Sequence, residues 1–349
     1  MTAPADTAET AEPVRERGRW APLLIALLAF LLVPRIPLLR TIVPVEQTSA
    51  LLVAGLAVCT LLGWRSGGRV MLAVVWLLLA VWTFARPLQA PIAADLGYDR
   101  LARGWALLLA AAFGLVCVVT TGKQLFPRAL MAVALAIAVA IPLALGGRGG
   151  AARTERTVGR ELEARHTDFL AAWDKFRGEP DMKRLTAQNG EVSTMFEMLD
   201  ARYRSVPAIV ARLFPALLAL ESLAALALAW SVFHRVSRMR IGDALSPLRS
   251  FRFSDQLVWG LILGITLMVV PNLSALRGVG LNLLVFFGAL YAIRGAAVVA
   301  WFLAPGIATT IVIALLALVF GPLLAIGALG VGLGDTWVDW RSHRPRPAT

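Results

Sequence analysis

Nine apolar runs order this chain, at 20–33, 48–64, 70–85, 104–121, 129–145, 213–233, 257–270, 280–304 and 307–333. A bilayer core about 30 Å thick is crossed by roughly 20 residues of helix, and most of these runs approach or exceed that length. Backbone polar groups cannot stay unpaired in lipid, so spanning segments must be helices or strands of a closed barrel. The runs are continuously apolar and lack the in/out alternation of barrel strands. Hydrophobic residues make up 58% of the chain and charged residues 16%, a balance that excludes an ordinary soluble domain. The reading is an all-α, polytopic transmembrane helix bundle of eight to nine spans with one amphipathic helical extramembrane segment.

The organisation follows from where the runs stop. A polar tail covers 1–19, a bundle of about five spans 20–147, the polar segment 148–205, a bundle of about four spans 206–334, and a basic tail 335–349. The polar tail before the first run argues against a secretory signal, so the first span is expected to be retained. Nine of the eleven tryptophans stand at or near a run end, namely Trp20, Trp64, Trp82, Trp105, Trp230, Trp259, Trp301, Trp337 and Trp340. Such positions are those of an interfacial aromatic belt. Cys59 and Cys117 lie inside spans and read as small packing residues, and three scattered histidines form no metal cluster. No cofactor is expected.

The net charge of +12 points to a negatively charged leaflet. No aromatic-interleaved basic stretch calls for nucleic acid. Arg235, Arg238, Arg240, Arg249 and Arg252 form the densest short basic cluster. With nine spans it shares a side with Arg15, Arg17 and Arg19, and both are placed in the cytoplasm. The expected location is a bacterial inner (plasma) membrane. If the first run, broken by Pro34 and Pro37, does not cross, the later connectors flip relative to the N-terminus.

Within 148–205, Leu162, Phe169, Trp173 and Phe176 recur at helical spacing, interrupted by Arg165 and His166, and a second stripe reads Val192, Phe196, Leu199 and Tyr203. Two amphipathic helices joined by a Gly/Pro/Asn-containing connector are expected, with Glu161 and Arg165 paired at i,i+4. They form either a partner-binding hairpin or an interfacial connector.

Charges inside the spans carry the functional argument. Glu221 and Arg294 lie within the sixth and eighth runs, where a central charge costs on the order of 3 kcal/mol or more. Counted from their run starts at 1.5 Å per residue, they lie about 12 Å and about 21 Å deep. Either both line a polar cavity for a small ligand, with Tyr291 and Asn282 adding polar contacts, or they tie helices together. The aspartate pairs Asp95/Asp99 and Asp335/Asp339 have the spacing of Mg²⁺ ligands in intramembrane transferases, but lack the fuller aspartate-rich motifs. No GxSxG, HExxH, Walker loop or CxxC occurs, and the chain is not expected to be an enzyme.

The C-terminal third resembles the YybS-like family of predicted multi-pass bacterial membrane proteins, a domain of unknown function. The residues that carry this run from Asn282 through Tyr291, Arg294 and Gly295, and then from Gly334 through Asp335, Trp337, Asp339, Trp340 and Arg341. Family members tend to carry glutamine at the position of Arg294. The resemblance implies a distant similarity to the substrate-binding membrane components of energy-coupling-factor vitamin transporters. That implies binding of a small solute and separate ATPase subunits as partners. Two further classes remain open. One is a membrane scaffold or regulatory protein that uses 148–205 to bind an envelope protein, and the other is the Mg²⁺-dependent transferase. A homo-oligomer is compatible with all three.

Overall fold

Small residues decide which helix sits at the centre. The computed structural model describes residues 20–86, 96–146, 150–188, 190–304 and 306–341, and among these the regular structure is helical throughout. The helices are α1 (Trp20–Leu32), α2 (Pro37–Arg40), α3 (Thr48–Arg65), α4 (Val70–Ala85), α5 (Leu96–Val119) and α6 (Leu125–Gly146). The polar region forms α7 (Gly150–Gly178) and α8 (Pro180–Gln188). Then follow α9 (Gly190–Val236), α10 (Val258–Val269), α11 (Arg277–Leu303) and α12 (Ile307–Val338). Of the candidate spans, 61% of α3 is buried against 11% of the final span Phe320–Val338, so α3 is the axis and that final span lies at the periphery. On α3, Gly55 meets Ala229 and Gly63 meets the Phe233 ring, close approaches that let α3 and α9 pack without a side chain between them.

Among the described residues, six helices are long and apolar enough to cross a membrane, and three apolar helices are shorter, at Trp20–Arg35, Val70–Ala85 and Asp255–Val269. The protein is therefore a polytopic helical membrane protein. Apolar side chains on α1, α4 and α10, such as Ile25, Leu78 and Ile265, stay exposed, as a lipid-facing surface requires.

Two expectations change in detail. The fourth run begins eight residues earlier than composition indicates, at Leu96, because its first turns are polar. The polar segment does not end where the sixth span begins, since α9 continues unbroken from Gly190 to Val236. At 1.5 Å per residue that is about 70 Å, more than twice the thickness of the bilayer core. The first half of α9 therefore projects beyond the spans, beside α7 and α8. The tryptophan belt also divides. Trp64, Trp82, Trp259 and Trp337 are exposed, but Trp105 and Trp230 are core residues with their indole N–H groups donated to Ser222 Oγ and the Asp243 carbonyl, each at 2.9 Å.

The closest helix contact is between α11 and α12. A methyl group at Gly295 would overlap the Ala328 carbonyl oxygen, and one at Gly332 would overlap that of Tyr291. By contrast, nothing lies within 4 Å of a methyl placed at Gly278 on the same helix. Gly295→Leu should therefore lower stability by about 1–3 kcal/mol through overpacking, while Gly278→Leu leaves it unchanged. Thermal unfolding of both variants in detergent decides this, and equal midpoints for the two would refute the crossing.

Candidate functional site

Arg294 sits nine residues before the end of α11, so it lies roughly 14 Å in from that end at 1.5 Å per residue. Its helix face also carries Phe286, Leu290, Tyr291, Ala297 and Val298, all buried. A guanidinium there cannot be deprotonated and must be paired. Its Nε donates to Asp335 Oδ2 at 2.8 Å, its Nη1 to Asp255 Oδ1 at 2.7 Å, and its Nη2 to the Asp335 backbone carbonyl at 3.1 Å. The Phe253 ring lies under the guanidinium, 5.3 Å from centroid to Cζ. Arg341 completes the group. It donates to Asp335 Oδ2 at 2.9 Å and to the Phe251 carbonyl at 3.1 Å, tying the end of α12 to the 249–255 connector. Two arginines thus face two aspartates, and the site is neutral overall.

The pairing leaves polar atoms over. Asp335 Oδ1 and Arg341 Nε are buried and lack hydrogen-bond partners among the described residues, and beside them the Tyr291 and Thr336 hydroxyls have each other as polar neighbours. Tyr291 and Asp335 are fully buried. The Asp255 side chain, by contrast, is 49% exposed. Buried polar groups are nearly always satisfied, so the spare Asp335 oxygen and Arg341 Nε leave room for ordered water or a polar molecule.

The other intramembrane charge lies elsewhere. Glu221 Oε2 accepts the backbone N–H of Val45 at 2.9 Å, in the connector that leads into α3. Its hydrogen bond is to that connector, and the contacts of Arg294 are with α12 and the 249–255 connector, so the two do not share partners. Asn282 has a third role. Its Oδ1 accepts from Ala216 N at 2.9 Å and its Nδ2 donates to the Arg212 carbonyl at 2.8 Å. Those are the two ends of one i→i−4 pair in α9, next to Pro215, whose ring disturbs the ladder. The amide satisfies backbone groups at a proline inside a membrane helix, where no lipid could do so.

A second charged centre was not singled out from sequence. Arg165, which seemed to interrupt the stripe of α7, is one of its anchors. The guanidinium is fully buried and meets Glu46 at 2.7 Å and Glu161 at 2.9 Å, both also fully buried. Its Nη1 donates to the Val43 carbonyl at 2.7 Å, and it stacks over the Tyr98 ring at 5.0 Å. Tyr98 in turn donates to the Pro44 carbonyl. Arg40 pairs with Glu46 at 2.5 Å and with Asp168 at 3.0 Å. Burial raises the Glu46 carboxyl above its usual range, against the opposing pull of the Arg165 and Arg40 guanidiniums. This centre fastens α7 to the α2–α3 connector and to the start of α5. The Glu161–Arg165 spacing was its one legible signal.

The described members of the aspartate pairs each have partners of their own. Asp99 accepts from Gln47 Nε2 at 2.7 Å and pairs with Arg103 at 2.9 Å, at the α3–α5 junction. Asp335 belongs to the Arg294 group, and Asp339 pairs with Arg252 at 3.1 Å. Asp95 lies outside the described residues. Of the motif residues, Gly295 sits at the α11–α12 crossing and Asp335 pairs with Arg294 of α11, while Asp339 and Arg341 bind the 249–255 connector. Trp337 is exposed.

Residues 181–336 match the model of a family described as "Predicted membrane protein (DUF2232)", somewhat under half of the chain. The match takes in Glu221, Asn282, Tyr291, Arg294, Gly295 and Asp335, and stops before Trp337, Asp339 and Arg341. Neither the curated proteins nor the solved structures contain a match to this chain.

The two kinds of pair separate by magnitude. Arg165→Ala removes the guanidinium that the buried Glu46 and Glu161 carboxylates share, leaving Glu46 with Arg40 alone, and is expected to cost about 3–5 kcal/mol. Asp168→Asn removes a pair whose acid is 65% exposed and should cost less than about 1 kcal/mol. Chemical unfolding of both variants in detergent checks this, and comparable losses would contradict the assignment of Arg165 as the anchor.

Proposed function

We propose that this membrane protein binds a small polar solute inside its helix bundle, in a transport-related role, at the group formed by Tyr291, Arg294, Asp335 and Asp255. The observation that carries the reading is a neutral Arg/Asp group with one carboxylate half open, beside the Tyr291 and Thr336 hydroxyls and a buried Asp335 oxygen that accepts no hydrogen bond among the described residues. Ionisable groups inside membrane spans are functional candidates by default. The site offers both donors and acceptors and no net charge, which fits a neutral or zwitterionic solute better than a simple ion. Glu221 and Asn282 support the helices around it instead of lining it. In this reading the protein works as energy-coupling-factor components do, with separate ATPase subunits as the source of energy. The setting proposed is the bacterial inner membrane.

The test is a thermal-shift screen of small polar metabolites on the purified protein, repeated with Tyr291→Phe. That substitution removes one hydroxyl and leaves every ion pair intact. A stabilising solute whose apparent affinity falls about tenfold in Tyr291→Phe, the order of one lost hydrogen bond in a buried site, supports the reading. A hit unaffected by Tyr291→Phe, or no hit at all, sinks it.

A scaffold or regulatory reading has its own observation. The projecting α7–α9 arm is anchored by Arg165, yet carries exposed apolar side chains at Phe176, Met195 and Met198. Its test is Met195→Ser with Met198→Ser in an affinity pull-down from the native membrane. A protein captured by the wild type and lost from the variant supports it, and an unchanged set of captured proteins removes it. Deleting the arm would not serve, since it would strip Arg165 from Glu46.

A further inference from the structure

Three connectors come together at one end of the bundle. They are 66–69 between α3 and α4, 120–124 between α5 and α6, and 237–247 after α9. The Met239 side chain lies over Gly67 and Gly68 of the first. Asp243 N donates to the Lys123 carbonyl at 2.9 Å in the second. Arg128, buried at the start of α6, clamps the second and third by donating to the Thr120 carbonyl at 3.2 Å and the Ile241 carbonyl at 2.9 Å.

The third connector is fixed by the direction of its acceptors. The Ile241 carbonyl is taken by Arg128, the Asp243 carbonyl by Trp230 Nε1, and the Gly242 carbonyl lies 3.1 Å from His234 Nε2. Gly242 itself fits between the Lys123 carbonyl and the Trp230 ring, where a methyl would not. With its acceptors turned into the bundle, this end presents side chains outward. Arg65, Arg69, Lys123, Arg238 and Arg240 are exposed there, against a single acid, Asp243. Trp64, in the last turn of α3, is 51% exposed beside them. A half-exposed indole at the end of an apolar helix marks the headgroup layer.

We propose that this end of the bundle is a docking surface for anionic phospholipid headgroups. Its cations stand where the spans emerge, on a framework held rigid from inside, so they meet lipid phosphates laterally without having to be ordered on binding. The same surface then faces the leaflet richest in acidic lipid, and the α7–α9 arm the opposite side. This does not depend on the solute site, which lies on different residues.

The experiment uses the full chain in nanodiscs containing mixed phosphatidylglycerol and phosphatidylcholine, with bound lipids counted by native mass spectrometry. The wild type should retain phosphatidylglycerol over phosphatidylcholine. Arg65→Gln, Arg69→Gln, Lys123→Gln and Arg240→Gln together should lower that preference by about tenfold or more, as expected for loss of several cations at an acidic surface. The variant with lysine at the three arginine positions should keep it, because charge is what is recognised. An equal preference in the glutamine variant overturns the proposal. So does displacement of the lipid by millimolar glycerol phosphate, which would reveal a site for soluble phosphate. Should the glutamine variant fail to fold, salt decides on the wild type alone. The preference must fall at 0.5 M NaCl, within about a Debye length of 4–5 Å at that strength, and its persistence rejects the proposal.

Discussion

A guanidinium buried in an apolar bundle stays charged, and the chain around it must carry the compensating charge to the same place. Arg294 and Arg165 both meet this constraint, and much of the connectivity between helices is organised around it. Arg294 draws the end of α12 and the start of α10 onto α11 through Asp335 and Asp255. Arg165 draws α7 onto the connector before α3 through Glu46 and Glu161. The desolvation of such ions is offset only by close geometry and further hydrogen bonds. In both centres backbone carbonyls supply these, from Asp335 for Arg294 and from Val43 for Arg165. Both centres leave polar atoms over, Arg165 Nη2 in one and Asp335 Oδ1 and Arg341 Nε in the other, and they differ instead in how open they are. The Asp255 carboxylate at Arg294 is 49% exposed, whereas the Glu46 and Glu161 carboxylates at Arg165 are fully buried.

Two further devices solve problems that lipid imposes. The ladder of α9 is disturbed at Pro215, and Asn282 of α11 answers both ends of one i→i−4 pair. The bond that repairs the backbone is thus also an interhelical contact. Where α11 meets α12, Gly295 and Gly332 bring the backbones together, and this close crossing is what lets the Arg294 side chain reach Asp335. Packing by small residues and pairing of charges are coupled, because a larger residue at the crossing would separate the ions as well as the helices.

The membrane class, the helical fold and most helix ends were legible in composition and run length, since a bilayer admits few backbone solutions and demands long apolar segments. The run at 70–85 matches α4 residue for residue, and 48–64 matches α3 to within one. The helical character of the polar segment and the Glu161–Arg165 pair were legible too, being local in sequence, but the expected connector forms α8 and the second amphipathic helix is the first part of α9. That Tyr291 and Arg294 share one environment followed from their spacing of three on a helix. That Glu221 lies apart from Arg294 did not, because comparing depths along two spans says nothing about the direction in which each side chain points.

Pairings across the chain belonged to the tertiary structure alone. Arg294 with Asp335 spans 41 residues, and Arg40 with Asp168 spans 128. Asp335 read as a residue beyond the last span, yet α12 continues past it and buries it. Trp105 and Trp230 read as belt residues, and the packed bundle placed them inside with their N–H groups satisfied. The sequence by itself determined that this chain must live in a bilayer as helices, because apolar length and the lack of water fix the backbone's choices locally. Only the tertiary structure decided which charges neutralise one another and which polar atoms remain without partners, because those depend on distances between helices that no local pattern encodes.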